Sequence, residues 1–425
     1  MSPMLSRVWG VVSCLALVCL DPAWVAARPP GRPLQQVRYV MGTLCEITVF
    51  PVGERATLER SSRDRERDAG SAIDAAYAEL RRIDAVLSNW NPHSELMRMN
   101  AAANATQRPR PWVRVSGELF ERVRTALRMA EETDGLFDPT VGPLVRAWGF
   151  LPPCPTERPC GSLSRTKAIE TARQRVGWHH VRMDAQHNQI QFELSDMEID
   201  LGGIAKGYAV ERAVQVLRDR GIASALVNLG NSSLKALGEP PSARAADPAS
   251  GYRAPCKGWP IGVLDPRDGR SVAARICMAS GEAIATSGTY EHVIGEGKNR
   301  RSHLIDPYTG DALGGETGVT VLTSDAEVAD ALTKPFILRP QLTTTAAGGA
   351  MLIRYPGTGV VVLSSRGGRL LEREAGSARG RVTMAGERRP RSSIRRTLAV
   401  GYFTVIRRPL EADRGEGVRP CCSNY

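Results

Sequence analysis

"EIDLGGIAKGYAVERAVQVLRDRG", residues 198–221, carries the strongest local signal in the chain. It reads as strand, glycine loop and helix, with Gly221 closing the helix as its C-cap. Adjacent glycines at a helix entrance, here Gly202 and Gly203, let backbone amides approach an anion, and the helix dipole favours negative charge there. Lys206 lies in the first turn, where it adds a point charge for a phosphate. Asp200 precedes the loop, placed to accept hydrogen bonds from a ligand's base or hydroxyls. The same residues also read as a plain helix start whose glycines serve tight packing, because the stretch is neither a Walker loop nor GxGxxG.

The flanking elements decide the class. Upstream, "VRYVMGTLCEITVF" (residues 37–50) reads as a β-branched strand around a glycine. A helix is predicted over about 68–87, with Ile73, Ala76, Leu80, Ile83 and Leu87 three to four apart, and a second over about 116–132. "GWHHVRMDAQHNQIQFEL" reads as a hairpin turning near 184–188; downstream, "SALVNLGN", "WPIGVLDP" and "SGEAIATSG" read as short strands. Strands joined by hairpins and segregated from long helices point to an α+β fold, not a doubly wound parallel sheet. In the last helix, "SDAE" (residues 324–327) reads as a capping box, and Pro335 should kink or end the helix just past Lys334.

Composition bounds the rest. The chain has 425 residues, 42% of them hydrophobic, ample for a core, and a net charge of +11. From Glu374 to the end there are eleven Arg against five acids, so this tail supplies +6 of that charge. The tail lacks the periodicity of a basic helix and the aromatics that stack on bases, so nucleic acid is not an expected partner. Residues 374–425 read as a basic disordered extension. At the other end, Arg7, the apolar run "VWGVVSCLALVCL" and the small residues before Ala27 form a signal peptide over 1–27, which predicts export to the periplasm. Membrane association is expected only through lipidation of Cys14. Cys154 and Cys160 bracket a short loop that a disulfide can close in an oxidising compartment. No cysteine–histidine spacing suits zinc.

Further motifs carry candidate chemistry. "TSGTYEH…RRSHLIDPYTG" places His303 before a turn acid, the pattern of a general base and equally of a structural histidine. "TDGLFDPTVG" puts Asp138 on a loop before a helix, where it also reads as an N-cap. Trp90 in "SNWNPHSE" is a loop aromatic able to stack on a planar ring. In "VADALTKPFIL", Asp330 and Lys334 stand four apart, as a helix-surface ion pair would.

Taken in order, "VMGTLCEITVF", "LSNWNPHSELMRMN", "DGLFDPTVGPLVRAWGF", "IDLGGIAKGYAVERAV", "ALVNLGN", "GWPIGVLDP", "AIATSGTYEH", "SHLIDPYTG" and "TVLTSDAEVADALTK" resemble the ApbE-type FAD:protein FMN transferases. The resemblance spans nearly all of an expected domain at 28–373. It implies T-fold-type sheets with packed helices and FAD in a cleft. There a Thr or Ser hydroxyl of an exported acceptor flavoprotein attacks the FMN-side phosphorus, AMP leaves, and a magnesium ion bridges the pyrophosphate. Carried over by position, Met41, Trp90, Leu136, Phe137 and Asp138 would lie along the flavin and adenine edges, with Asp200 and Lys206 on the nucleotide. His303 would sit near the reacting phosphate, flanked by the FAD-contact segment Leu304, Ile305 and Asp306. The metal set would be the Gly203 carbonyl and the Asp330 carboxylate, with Thr333 and Lys334 beside them. Family members commonly carry threonine where this chain has Lys334, and an ammonium cannot ligate magnesium. Either Lys334 points away and Thr333 or water completes the coordination, or its ammonium takes the cation's place. Two other readings use the same site: an accessory protein that holds FAD without transfer, and hydrolysis of FAD to FMN and AMP.

Overall fold

The computed structural model describes residues 33–51, 62–104, 110–151, 165–241 and 256–385. The leader with Cys14, the Cys154–Cys160 loop, most of the 239–258 loop and everything beyond Ala385 lie outside these residues.

Residues 37–50 form a hairpin and not one strand. β1 (Leu34–Val40) and β2 (Thr43–Val49) pair antiparallel, with Val40 opposite Thr43 across Met41 and Gly42. Both turn residues have positive φ, +52° and +72°, as a two-residue hairpin turn requires. Helix α1 (Ser62–Leu87) follows and starts before the expected 68. Then come α2 (Glu95–Ala103), β3 (Val113–Arg114), α3 (Gly117–Glu132), α4 (Gly142–Trp148) and α5 (Arg165–Arg173). The predicted hairpin is β4 (Val181–Asp184) with β5 (Gln189–Phe192).

In residues 198–221 the loop and the helix α6 (Ala205–Asp219) form, but the strand before them does not. Its backbone is claimed by side chains and a loop. Asn100 bonds both the amide and the carbonyl of Ile199 at 2.9 Å, Asn89 accepts from the Leu201 amide at 3.2 Å, and the Pro139 carbonyl accepts from the Asp200 amide at 2.6 Å. With those groups satisfied, no strand partner is needed.

The remaining elements are β6 (Ala225–Leu229), β7 (Ser233–Leu237), β8 (Trp259–Leu264), β9 (Val272–Met278), β10 (Ala283–Gly288), β11 (Val293–Ile294) and β12 (Arg301–Ser302). After them come β13 (Thr317–Thr323), α7 (Ala326–Leu338), α8 (Ala346–Ile353), β14 (Gly359–Arg366), β15 (Arg369–Gly376) and β16 (Val382–Met384). The main sheet has the strand order β1-β2-β6-β7-β10-β13-β14-β15, antiparallel at every pairing.

Strand alternation sends side chains to two cores. Val227, Ala285, Val321 and Val360 face the helical layer of α1, α6 and α7, while Leu226, Ile284, Leu322 and Val361 pack on Trp259, Ile261 and Ile276 of a smaller sheet, β16-β9-β8. Burial on both faces explains why these strands read as continuous apolar runs. Two features depart from the sequence reading. The fold continues past Arg373, since β15 reaches Gly376 and β16 pairs with β9. A disulfide joins Cys256 to Cys277 across 21 residues, a pairing that no spacing pattern announces.

Candidate active site

The site forms where the start of α6 meets the middle of α7. Gly203 ends the glycine loop against two side chains: a Cβ there would stand 2.7 Å from the Phe137 ring and 3.2 Å from Lys334 Cε. Glycine is required by that close approach. Asp200 bonds the Gly202 amide at 2.7 Å, and burial pushes its carboxyl up to about 6. The loop is thus held by its own acid from one side and by Phe137 from the other.

Helix α7 is capped by Asp325, whose carboxylate accepts from the Glu327 and Val328 amides, so the cap lies one residue beyond the predicted Ser324. Pro335 does not end this helix, which runs on to Leu338 through a nearly all-buried surface. Packing on both sheet and helices outweighs the one backbone bond that proline removes. Asp330 is 3% exposed, not a surface residue. Its Oδ2 accepts from the Gly207 amide at 3.2 Å and the Ser233 hydroxyl at 3.4 Å. Lys334 points inward. Its Nζ donates to Asp330 Oδ1 at 2.9 Å, the Asp330 carbonyl at 2.8 Å and the Gly203 carbonyl at 3.1 Å. Thr333 Oγ1 donates to the Asp330 carbonyl at 2.7 Å and meets Ser287 Oγ at 2.7 Å.

The residues expected around a metal are therefore together, and the Lys334 ammonium stands among them. As arranged they do not fit a magnesium ion. The oxygens lie at hydrogen-bond distances from a resident cation, whereas magnesium demands about 2.0–2.1 Å to each ligand and cannot be ligated by the ammonium that occupies these oxygens. Thr333 spends its hydroxyl proton on the Asp330 carbonyl.

Lys206 projects from the first turn of α6 to Ser232 Oγ at 2.6 Å. Burial lowers its pKa first; Lys334 adds to that, and Asp330 and Glu291 oppose it. His303 shares this neighbourhood. Its Nδ1 lies 3.2 Å from the Glu291 carbonyl, which only accepts, so Nδ1 carries the proton and Nε2 presents its lone pair. Burial, then His292, Lys206 and Lys334, push His303 down to about 3, and the ring is neutral at neutral pH. His292 stacks edge-on at 5.2 Å.

Other expected residues serve differently. Asp138 accepts from the Thr140 amide and hydroxyl at 2.7 and 2.6 Å and from the Trp178 amide at 3.1 Å, an internal staple whose carboxyl is raised by burial. Leu304, Ile305 and Asp306 are buried, and the Asp306 carboxylate bonds the Tyr308 amide at 2.9 Å and Arg339 at 2.8 Å. The Asp306 side chain thus holds the turn and Arg339, which leaves the backbone and apolar faces of this segment as what it could offer a ligand. Leu136 is half-buried beside Phe137. Trp90 is 60% exposed, and its neighbour Asn89 brackets Asp200 by bonding Ile199 and Leu201. Met41 sits in the β1–β2 turn, two residues before Thr43, which crowds Gly230 in the β6–β7 turn that carries Ser232. Sequence reading missed Asn89, Asn100, Ser232 and Ser287. It also missed the aromatic pair Trp178 and Tyr308, which converge on Gly135, and Tyr308 donates to the Asp134 carbonyl. Polar residues that act by bonding a distant backbone carry no local pattern.

An antiparallel sheet, covering helices and a glycine loop flanked by two lysines and a neutral histidine define an α+β protein equipped for a phosphate-bearing ligand. The chain belongs to the ApbE family, whose model matches residues 41–347. It is 30% identical over 292 residues to the FAD:protein FMN transferase of Escherichia coli K12, covering 67% of this chain and 76% of that one. The corresponding enzyme of Klebsiella pneumoniae is 29% identical over 322 residues, 75% of this chain and 82% of its own. Among solved structures, the ApbE protein of Thermotoga maritima superposes with a TM-score of 0.61 at 27% identity, covering 80% of this chain and 97% of that one. The flavin transferase ApbE of Vibrio cholerae gives 0.62 at 25% identity, covering 82% and 99%.

Proposed function

We propose that this chain transfers FMN from FAD to a Thr or Ser hydroxyl of an exported acceptor protein and releases AMP. The observation that carries the reading is the glycine loop with Lys334 on its Gly203 carbonyl and Lys206 in the first turn of α6, together with His303. The His303 Nδ1 is taken by the Glu291 carbonyl, so Nε2 is the nitrogen left to accept a proton. The acceptor oxygen forms a bond to the FMN-side phosphorus, the bond from that phosphorus to the bridging oxygen breaks, and AMP departs with that oxygen. The hydroxyl proton goes to His303 Nε2. Because the two lysines help hold His303 low, a diphosphate placed between them offsets their charge and raises its basicity toward the range where a general base works best.

The family resemblance also implies magnesium. The donor set as it stands does not fit that ion, because the Lys334 ammonium holds its oxygens. Export to the periplasm is part of the proposal, supported by the N-terminal apolar segment and by the Cys256–Cys277 disulfide, a bond of oxidising compartments.

The test incubates the protein with FAD and a threonine-bearing acceptor peptide, in parallel with Mg2+ and with EDTA, and the outcomes are read from whichever arm reacts. AMP release with an FMN mass gain on the peptide supports transfer. AMP with an unmodified peptide assigns hydrolysis instead. Bound FAD with neither product assigns a carrier and removes the enzyme reading.

A further inference from the structure

Resting on that reading, we propose that Lys334 is the built-in cation of this site, and that the protein binds FAD without a divalent ion. An ammonium has three N–H donors, and Lys334 places them on three oxygens: Gly203 O, Asp330 O and Asp330 Oδ1, between 2.8 and 3.1 Å away. Two of them, the Gly203 carbonyl and the Asp330 carboxylate oxygen, are the oxygens a metal would need. A divalent ion entering here must expel the ammonium from hydrogen bonds that fill its donor capacity, and then draw each oxygen inward by roughly 0.7–1 Å. Left in place, the ammonium repels it.

Lys206 supplies what Lys334 no longer can. Its ammonium makes one hydrogen bond, to Ser232, leaving two N–H donors for phosphate oxygens. Asp330 is hydrogen-bonded by Lys334, whereas Lys206 bonds a neutral hydroxyl, so Lys206 is the charge that faces the diphosphate. Division of labour follows: Lys334 closes the cation pocket and fixes α7 against the glycine loop, and Lys206 meets the ligand.

Two measurements decide it. FAD affinity, read by flavin fluorescence, is compared in EDTA and in excess Mg2+; Mn2+ binding is read directly by electron paramagnetic resonance, with and without FAD. The wild-type protein should bind FAD equally in both buffers, within about twofold, and take up no Mn2+. Lys334→Thr should gain a Mn2+ site, and Mg2+ should tighten its FAD binding by about tenfold or more. A wild-type Mn2+ site, a wild-type FAD affinity that rises with Mg2+, or no FAD binding in EDTA overturns the proposal. The wild-type arms need no variant to fold; Lys334→Met, which keeps the stem and removes the charge, provides a second variant and should also lose the bar to Mn2+. Transfer that requires Mg2+ in the wild type overturns this inference but not the transferase reading. Metal-free FAD binding without transfer does the reverse.

Discussion

Asp330 sits under Lys334 with both carboxylate oxygens engaged, one by the ammonium and the other by Gly207 and Ser233. An exposed i,i+4 pair contributes only about 0.3–0.5 kcal/mol, and removing Asp330 from such a pair would scarcely register. Here Asp330→Ala leaves a largely buried ammonium facing two carbonyls alone, a change that typically costs about 3–5 kcal/mol. Urea denaturation of the variant should show that loss; a change under about 1 kcal/mol would return the pair to the surface class. His303 supports a second prediction. Its folded pKa, about 3, lies below the ordinary 6.5, so between those values the unfolded chain binds the proton and stability falls on acidification. Asp200, raised from 3.8 to about 6, and Glu327, raised from 4.5 to about 7, run the other way, because the folded state holds their protons over those intervals. The three partly cancel in the total curve. The difference curve separates them: His303→Gln should gain stability relative to wild type as pH falls from 6.5 toward 4, by up to about 1.4 kcal/mol per pH unit. A difference independent of pH would mean that His303 is not held neutral.

Helices α6 and α7 cross at Gly207, where a Cβ would stand 2.2 Å from the Ala326 carbonyl and 2.7 Å from Glu327 Cα. Both atoms belong to backbone, which cannot step aside. The crossing is reinforced by Glu211, which accepts from the Ala326 amide at 2.8 Å and from Lys235 at 2.8 Å. Gly207→Ala should therefore push the helices apart, costing about 1–3 kcal/mol and weakening FAD binding through the displaced Lys206 and Asp330, as thermal denaturation and flavin fluorescence would measure. Unchanged melting would refute the crossing. This junction also marks how far local pattern reaches. The loop, α6, α7, the β4–β5 hairpin and the apolar strands were legible, because each follows from periodicity or a glycine. The strand expected before Asp200 was not formed, because Asn89, Asn100 and Pro139, all distant in sequence, take up its backbone groups. The β1–β2 turn was hidden for a different reason: Met41 adopts a left-handed φ that no methionine advertises. Likewise, the sequence left open which way Lys334 points, since its direction is set by Gly203, more than a hundred residues away.

At the scale of the molecule, the main sheet is shared by two cores, and the site belongs to one of them. Lys206, Asp330 and Lys334 stand on the helical side, whereas Trp259, Ile261 and Ile276 pack the smaller sheet against the opposite face, with the Trp259 ring 5.8 Å from Phe50. The smaller sheet is held at its start by Cys256–Cys277, a loop of 21 residues. Closing a loop of that length removes chain entropy from the unfolded state worth about 3 kcal/mol. The Cys256→Ser, Cys277→Ser variant should accordingly melt several degrees lower than the oxidised wild type, and reductant should lower the wild type to match while leaving the variant unmoved. FAD affinity should stay the same in all of these, because the eight-stranded sheet separates the disulfide from the lysines and its own hydrogen-bond ladder does not depend on the staple. Parallel loss of affinity and melting temperature would instead mean that the two cores fold and bind as one unit, with the small sheet positioning α6 and α7 through the strands between them.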